Sequence, residues 1–526
     1  MNLKTSIKSV LIEIICILYI VLFVYAAMSK LLDFENFQVQ LGQSPLLNPF
    51  AGEISYTIPI IEIVAAVLLS IPKFRKGGLL VSFALMVLFT VYIYYILNFS
   101  SFIPCSCGGI LEKMSWKEHF IFNCFFILMS VVGIILLPAK ENRKQLLLTY
   151  SLLITLTIIG VGTLEILLKI SENKRFQRNN FVRIFPPIAV KKETIYDLKY
   201  NSYYFAGTDK QRVYLGNTTA PLLVLQLDSV LAQSKKHYVS VLHDKVKLEA
   251  VYIRVVNNKF YLIDGSVPFV FIGNTTDWRA NLKMKNASRF SIAEFIDSTK
   301  IVFRKLSDKR SENVLGTINF SDSSKIKVQY HPLLLQKQID GVFDTDGAMN
   351  YSDNLKRFVY VYYYRNEFIV CDDNLNLKYR GKTIDTTTKA KIKVSWLKNR
   401  NEKKLAAPAF MVNRTSAMYQ NLLFVNSSLP GKYEPLVMWK DASIIDVYDI
   451  YSKTYLMSFY VYNENKKQLS TFMVTGNRLY ALIGNSIVCY RLGTTLQKYL
   501  KQNQKITSAG EQGQDRKPVE KSRSDF

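Results

Sequence analysis

The stretch "PCSCGGILEKMSWKEHF", residues 104–120, carries two of the chain's six cysteines, Cys105 and Cys107, and one of its four histidines, His119. Thiols one residue apart close a small, strained ring on oxidation, and strained disulfides are labile and oxidising. Gly108 and Gly109 follow, and glycine permits the tight turn that would bring the two sulfurs together. His119 and Asn123 are four residues apart, on one helical face, with Cys124 beside them and expected to be buried one turn deeper. A cationic His119 near the thiols would lower their pKa and raise the thiolate fraction, a tuning role. The same residues also fit a static disulfide that braces the loop, or a pairing with Cys124. Four soft ligands at zinc-site spacing are not available nearby, which argues against a metal.

Glu62 lies in an apolar run, three residues after Pro59. An ionisable group inside a bilayer is costly, so it pairs or lines a polar cavity. Lys30 is the available partner, and both a registry-fixing ion pair and a proton relay fit. Glu13 and Glu165 lie nearer the ends of their apolar segments and are expected to reach the interface. Cys371 in "FIVCDD" and Cys489 in "SIVCYRL" fit either one bridge or two separately buried thiols. The stretch "FDTDG", 343–347, starts like a calcium loop but lacks the rest of the EF-hand pattern and reads as a turn. His237, His243 and His331 are scattered, with no nucleophile elbow, phosphate loop or paired carboxylates, so the later region offers no catalytic constellation.

Five segments are long and apolar enough to position these groups in a membrane: 9–28, 54–71, 79–97, 120–137 and 146–168. The first has a signal-like start, Lys4 and Lys8, but a longer apolar run than a signal core, and reads as an uncleaved anchor. Lys4 and Lys8, then Lys73, Arg75 and Lys76, then Lys140, Arg143 and Lys144 all fall on one side, which positive charge marks as cytoplasmic. The N-terminus is then inside, while the Cys105 loop and everything after the fifth span are outside. That compartment is oxidising in bacteria.

The formal charge of +26 comes from dispersed Lys and Arg, without a recognition helix, finger spacing or aromatic RNA-binding signature. Nucleic acid is therefore not expected as a partner; an anionic bilayer is. From 191 to 493 short aromatic and β-branched runs alternate with Asn, Asp and Gly, the pattern of antiparallel hairpins, with one short helix expected near 292–298. "VYLGNTT" at 213–219 recurs as "VFIGNTT" at 270–276. About 300 residues at about 50 per repeat predicts a β-propeller of about six blades, with paired β-sandwiches as the alternative.

The first 140 residues or so resemble the MauE/DoxX family of bacterial membrane proteins, in its Bacteroidota form. The resemblance rests on "YAAMSKLLDFENFQVQLGQSPLL", "PIIEIVAAVLL" and "PCSCGGILEKMSWKEHFIFN". Ser29-Lys30 and Glu62 match the family's polar positions, and Cys105 and Cys107 its outer cysteine pair. The resemblance implies a helical bundle associated with redox chemistry outside the cytoplasm; the namesake is linked to methylamine utilisation and maturation of a disulfide-rich subunit. The expected organisation is a four-helix bundle over 1–145, a fifth transmembrane helix over 146–170, a linker over 171–190, a periplasmic β-rich domain over 191–493 and a disordered tail over 494–526. The fold class is thus a membrane α-helical bundle, N-terminus in and C-terminus out of the bacterial inner membrane, followed by an all-β extracytoplasmic domain.

The functional expectation is thiol–disulfide exchange or electron transfer during maturation of envelope proteins. Cys105 and Cys107 would exchange with a periplasmic thiol protein or a membrane quinone, and the β-domain would dock the client. No cofactor motif is evident. The alternative is a non-catalytic scaffold or receptor whose propeller binds a protein or peptide and whose cysteines form a structural disulfide. A transporter using Glu62 has little support, since no inverted repeat or broken helix is legible.

Overall fold

The computed structural model describes residues 3–44, 47, 50–99, 114–137, 143–175, 179–209, 212–241, 249–285, 287–307, 311–322, 325–397, 402–407 and 409–500. It divides into a helical unit, Met1–Gln177 with Ile392–Ala409, and a β unit, Arg178–Lys391 with Phe410–Phe526.

The helical unit contains α1 (Leu3–Leu32), α2 (Phe34–Gln43), α3 (Ala51–Ser70), α4 (Arg75–Phe99), α5 (Trp116–Leu136) and α6 (Arg143–Arg175). Five of its helical stretches are long and apolar enough to cross a bilayer: Ile7–Leu32, Ala51–Ser70, Pro72–Asn98, Trp116–Leu136 and Leu147–Leu167. Their outward faces stay apolar, with Ile7, Ile121, Leu128 and Ile158 all well exposed. Apolar surface of that extent belongs in lipid, and the chain is a multi-pass membrane protein. The inward faces pack Tyr19, Phe23, Leu69, Leu79, Met86 and Phe126 into one core. At Gly133 the helices come close: a Cβ there would lie 3.1 Å from Leu79 and 3.3 Å from Ile15. Neither α2 nor the hairpin Val394–Leu397/Glu402–Leu405, which groups with the helical unit, is expected from the sequence pattern.

Among the described residues the β unit forms six four-stranded antiparallel blades, five of them meanders of consecutive strands. Four are separate sheets beginning at Ile292, Gly347, Asn413 and Leu469. The first two meanders, 203–238 and 251–285, merge because their innermost strands pair in parallel at Gly207–Val255 and Thr208–Val256, and the short strand Ser240–Val241, added beside Arg279–Lys285, makes the sheet nine-stranded. Gly207 is required there, since a Cβ would sit 2.0 Å from the Val255 carbonyl oxygen. The innermost strands succeed one another around a ring, with Tyr203–Thr208 neighbouring both Val251–Val256 and Leu469–Thr475. Between the second and third, Arg254 and Glu294 form an ion pair at 3.7 Å. Val190–Asp197 closes the ring by pairing antiparallel with Ser486–Leu492, so the first strand of the domain becomes the outermost strand of its last blade. Each of the six junctions between neighbouring blades holds its own buried apolar cluster. This is a six-bladed propeller with strand-exchange closure.

Several expectations change. Ile292–Phe295 is the inner strand of the third blade, not a helix, because its residues alternate between buried and half-buried. The GNTT echo does not mark equivalent positions: Arg212–Asn217 is the second strand of its blade and Phe269–Asn274 the third of the next. Residues 494–500 are helical, with Leu496 buried against the last blade, while 501–526 lie outside the described residues. Within the expected linker, residues 179–185 are latched to the fifth blade. Arg183 is fully buried and donates to Asp446 Oδ1 at 2.6 Å, Glu434 Oε1 at 2.7 Å and Ser427 Oγ at 2.7 Å. Phe185 stacks on Tyr460 with ring centroids 4.6 Å apart.

Candidate functional site

The start of α5 is set by a capping box. Ser115 Oγ accepts from the Glu118 amide at 3.3 Å, and the Ser115 amide donates to Glu118 Oε2 at 2.7 Å. With that start fixed, Trp116, His119 and Asn123 fall at i, i+3 and i+7 on one face. All three line a cavity of about 250 Å³ within the helical unit.

Lys30 and Glu62 line the same cavity. Lys30 Nζ donates to Glu62 Oε1 at 2.7 Å and Oε2 at 3.0 Å, and to the Ala26 carbonyl at 3.3 Å. Its ammonium also lies 5.9 Å from the centre of the Phe37 ring. Glu62 is 1 % exposed, so its carboxylate survives in the bundle by facing the ammonium directly. The cavity lies toward the ends of α1, α4 and α6 and the beginning of α5, contacting Lys30, Tyr92, Leu167 and Trp116. Residues 100–113 join α4 to α5 at this end in sequence.

Two polar atoms here have no hydrogen-bond partner: Asn123 Nδ2 and His119 Nδ1, both buried. Asn123 itself is 2 % exposed. The arrangement is therefore a charge-neutral ion pair, two unengaged nitrogens and a largely apolar, aromatic wall in which the Tyr92 and Thr163 hydroxyls are engaged with Ser44 and the Ile159 carbonyl.

The structure thus brings together four of the residues singled out from sequence: Lys30, Glu62, His119 and Asn123. Cys105 and Cys107 lie outside the described residues, as does His243. Cys124 is exposed, contrary to the expectation that it is buried: one step of about 100° from the inward Asn123 turns it out of the bundle. Cys371 and Cys489 are free, buried thiols in the fourth and sixth blades and form no bridge. Burial pushes the Cys371 thiol up to about 12, with Asp372 adding to it, and the Cys489 thiol up to about 11. Asp344 of the FDTDG stretch accepts the Ile339 amide at 2.7 Å and the Gly341 amide at 2.7 Å, which makes it a turn clasp. Among the described residues no group of three His, Cys, Asp or Glu side chains is placed to hold a metal.

Sequence reasoning passed over Phe37 and Trp116. The Ser-x-x-Glu pattern at Ser115–Glu118 would have located the start of α5 and placed Trp116 on the His119 face.

Residues 8–136 match the family described as methylamine utilisation protein MauE. The helical segment is MauE-like. The match covers α1 to α5, including Lys30, Glu62, His119 and Asn123. No curated protein matches the chain in sequence. Among solved structures, a member of the duf4221 family from Bacteroides vulgatus is 14 % identical, with 60 % of this chain and 98 % of that chain covered and a TM-score of 0.37. Regucalcin from Agrobacterium tumefaciens, a calcium-binding protein, is 12 % identical over 57 % of this chain and 87 % of its own, with a TM-score of 0.34. The Dos1 propeller is 10 % identical over 58 % and 96 %, also at 0.34. Beyond the MauE-like segment the chain adds α6 and the propeller.

Proposed function

We propose that this membrane protein is a component of extracytoplasmic thiol–disulfide exchange, serving the maturation of envelope proteins. The observation that carries the reading is the convergence of Lys30, Glu62, His119 and Asn123, all within the MauE-like segment, on one cavity of the helical unit, at the end to which the Cys105–Cys107 stretch is attached. Charge bias in the loops supports a periplasmic setting for that end and for the propeller.

In this reading a client thiolate attacks the Cys105–Cys107 disulfide and forms a mixed disulfide with one of the two sulfurs. A second client thiolate then displaces that cysteine, leaving an oxidised client and a reduced pair. The electrons pass on to another thiol protein or to a membrane quinone. His119 tunes the thiols, and the propeller docks the client.

The test is mixed-disulfide trapping in the cell envelope with Cys105→Ser and Cys107→Ser in the full chain. A covalent adduct with a second protein, formed by one single variant and lost in the double variant, is the expected result. A pair that stays oxidised and unreactive toward reductant, with no adduct from either variant, overturns exchange and favours a scaffold whose disulfide braces a loop.

A further inference from the structure

We infer that the cavity of the helical unit binds the head group of a lipid-soluble quinone, with the Asn123 amide and the His119 imidazole as donors to its carbonyl oxygens. The binding argument stands on the cavity alone; the use of the ligand as electron acceptor rests on the thiol-exchange reading.

The polar groups select the chemistry. The three ammonium donors of Lys30 are matched by Glu62 Oε1, Glu62 Oε2 and the Ala26 carbonyl, and the pair cancels its own charge. An anionic ligand therefore finds no free cation here. Asn123 Nδ2 and His119 Nδ1, in contrast, are buried without partners, and leaving a buried donor unsatisfied is destabilising. What satisfies them is a neutral acceptor. The amide nitrogen can only donate, and the imidazole donates from Nδ1 in the corresponding tautomer.

The walls select the shape. Phe23, Phe37, Phe89, Tyr92, Trp116 and Phe122 surround the space. Its volume of about 250 Å³ compares well with the roughly 150 Å³ apolar cavity that suffices for benzene. A flat six-membered ring with carbonyl oxygens at its edge meets both requirements, and a bilayer-dissolved tail supplies the route to a site among apolar helices. The redox balance then closes. Cys105 and Cys107 lose two electrons and two protons as their S–S bond forms, and the quinone gains both to become the quinol.

Binding is tested on the purified full chain in nanodiscs, titrated with decylubiquinone and with menadione. Quinone contact with Trp116 should give saturable fluorescence quenching. Trp116→Phe should lose that component, which assigns the quenching to contact at this wall. Asn123→Leu should weaken binding by about five- to tenfold, the value of one hydrogen bond. The same variant should unfold at a higher temperature without ligand, because it removes an unpaired amide, and this shows that it folds. Absence of saturable binding by either quinone, unchanged affinity in Asn123→Leu, or equal affinity for decanol would each overturn the inference. Mixed-disulfide trapping without quinone binding sinks this inference alone; quinone binding with an unreactive cysteine pair sinks the exchange reading alone.

Discussion

Lys30 Nζ and both carboxylate oxygens of Glu62 are in direct contact, at 2.7 and 3.0 Å, inside a helical unit whose outer faces are apolar. The pair joins the end of α1 to the middle of α3, two helices packed against each other. A charge with so little access to water is tolerable while its partner is present.

That dependence predicts an asymmetric response to mutation. Lys30→Met or Glu62→Leu alone should cost about 3–5 kcal/mol, because each leaves a buried charge unpaired. The double variant should recover most of the loss. Thermal unfolding in a fixed detergent, compared across the four chains, checks this. Additive losses in the double variant would mean that the two side chains contribute independently.

Thiol reactivity should separate the propeller cysteines from the outer pair. Cys371 and Cys489 are fully buried, with thiols pushed up to about 12 and about 11, so at pH 8 almost none of either is thiolate. Maleimide should leave both unmodified in the folded chain and label both after denaturation, as mass spectrometry of proteolytic fragments would show. Rapid native labelling of Cys371 would contradict its burial in the fourth blade.

The propeller should lose stability in mild acid through His237. Its imidazole stacks on Trp278 at 4.9 Å and contacts Gln226 Oε1 at 3.0 Å. Burial, aided by Lys235 and Arg212, holds its pKa below the ordinary value. The unfolded imidazole therefore protonates first, near pH 6.5, and the unfolded state gains relative to the folded one as pH falls through that value toward the lower folded one. His237→Gln should show a smaller drop in Tm between pH 7.5 and 5.5 than the parent chain, by calorimetry at constant ionic strength. An unchanged drop would assign the acid sensitivity to other groups, among them His331, which burial also holds low.

The sequence by itself determined the spanning helices and the β character of the later region. Apolar runs of spanning length can be satisfied only by helices in a bilayer, and the clusters of β-branched and aromatic residues between turn residues can bury their faces only as strands. The six-blade count followed from chain length and repeat size, although the GNTT echo that suggested repeats marks strands at different places in their blades. Spacing also set local faces: His119 and Asn123, four residues apart, do share one.

Tertiary structure decided which faces meet. Nothing local in the sequence brings Lys30, Glu62, His119 and Asn123 to one cavity, because they come from three helices whose rotations are fixed by packing. Packing likewise turned Cys124 outward, kept Cys371 and Cys489 in separate blades, and buried Arg183 against Asp446 and Glu434 far along the chain. Ring closure is of the same kind: Val190–Asp197 looks like any exposed strand until Ser486–Leu492 offers it an edge. Hydrophobic period specifies an element and its buried face at short range. The partner of that face is chosen by contacts between distant residues, which no local pattern records.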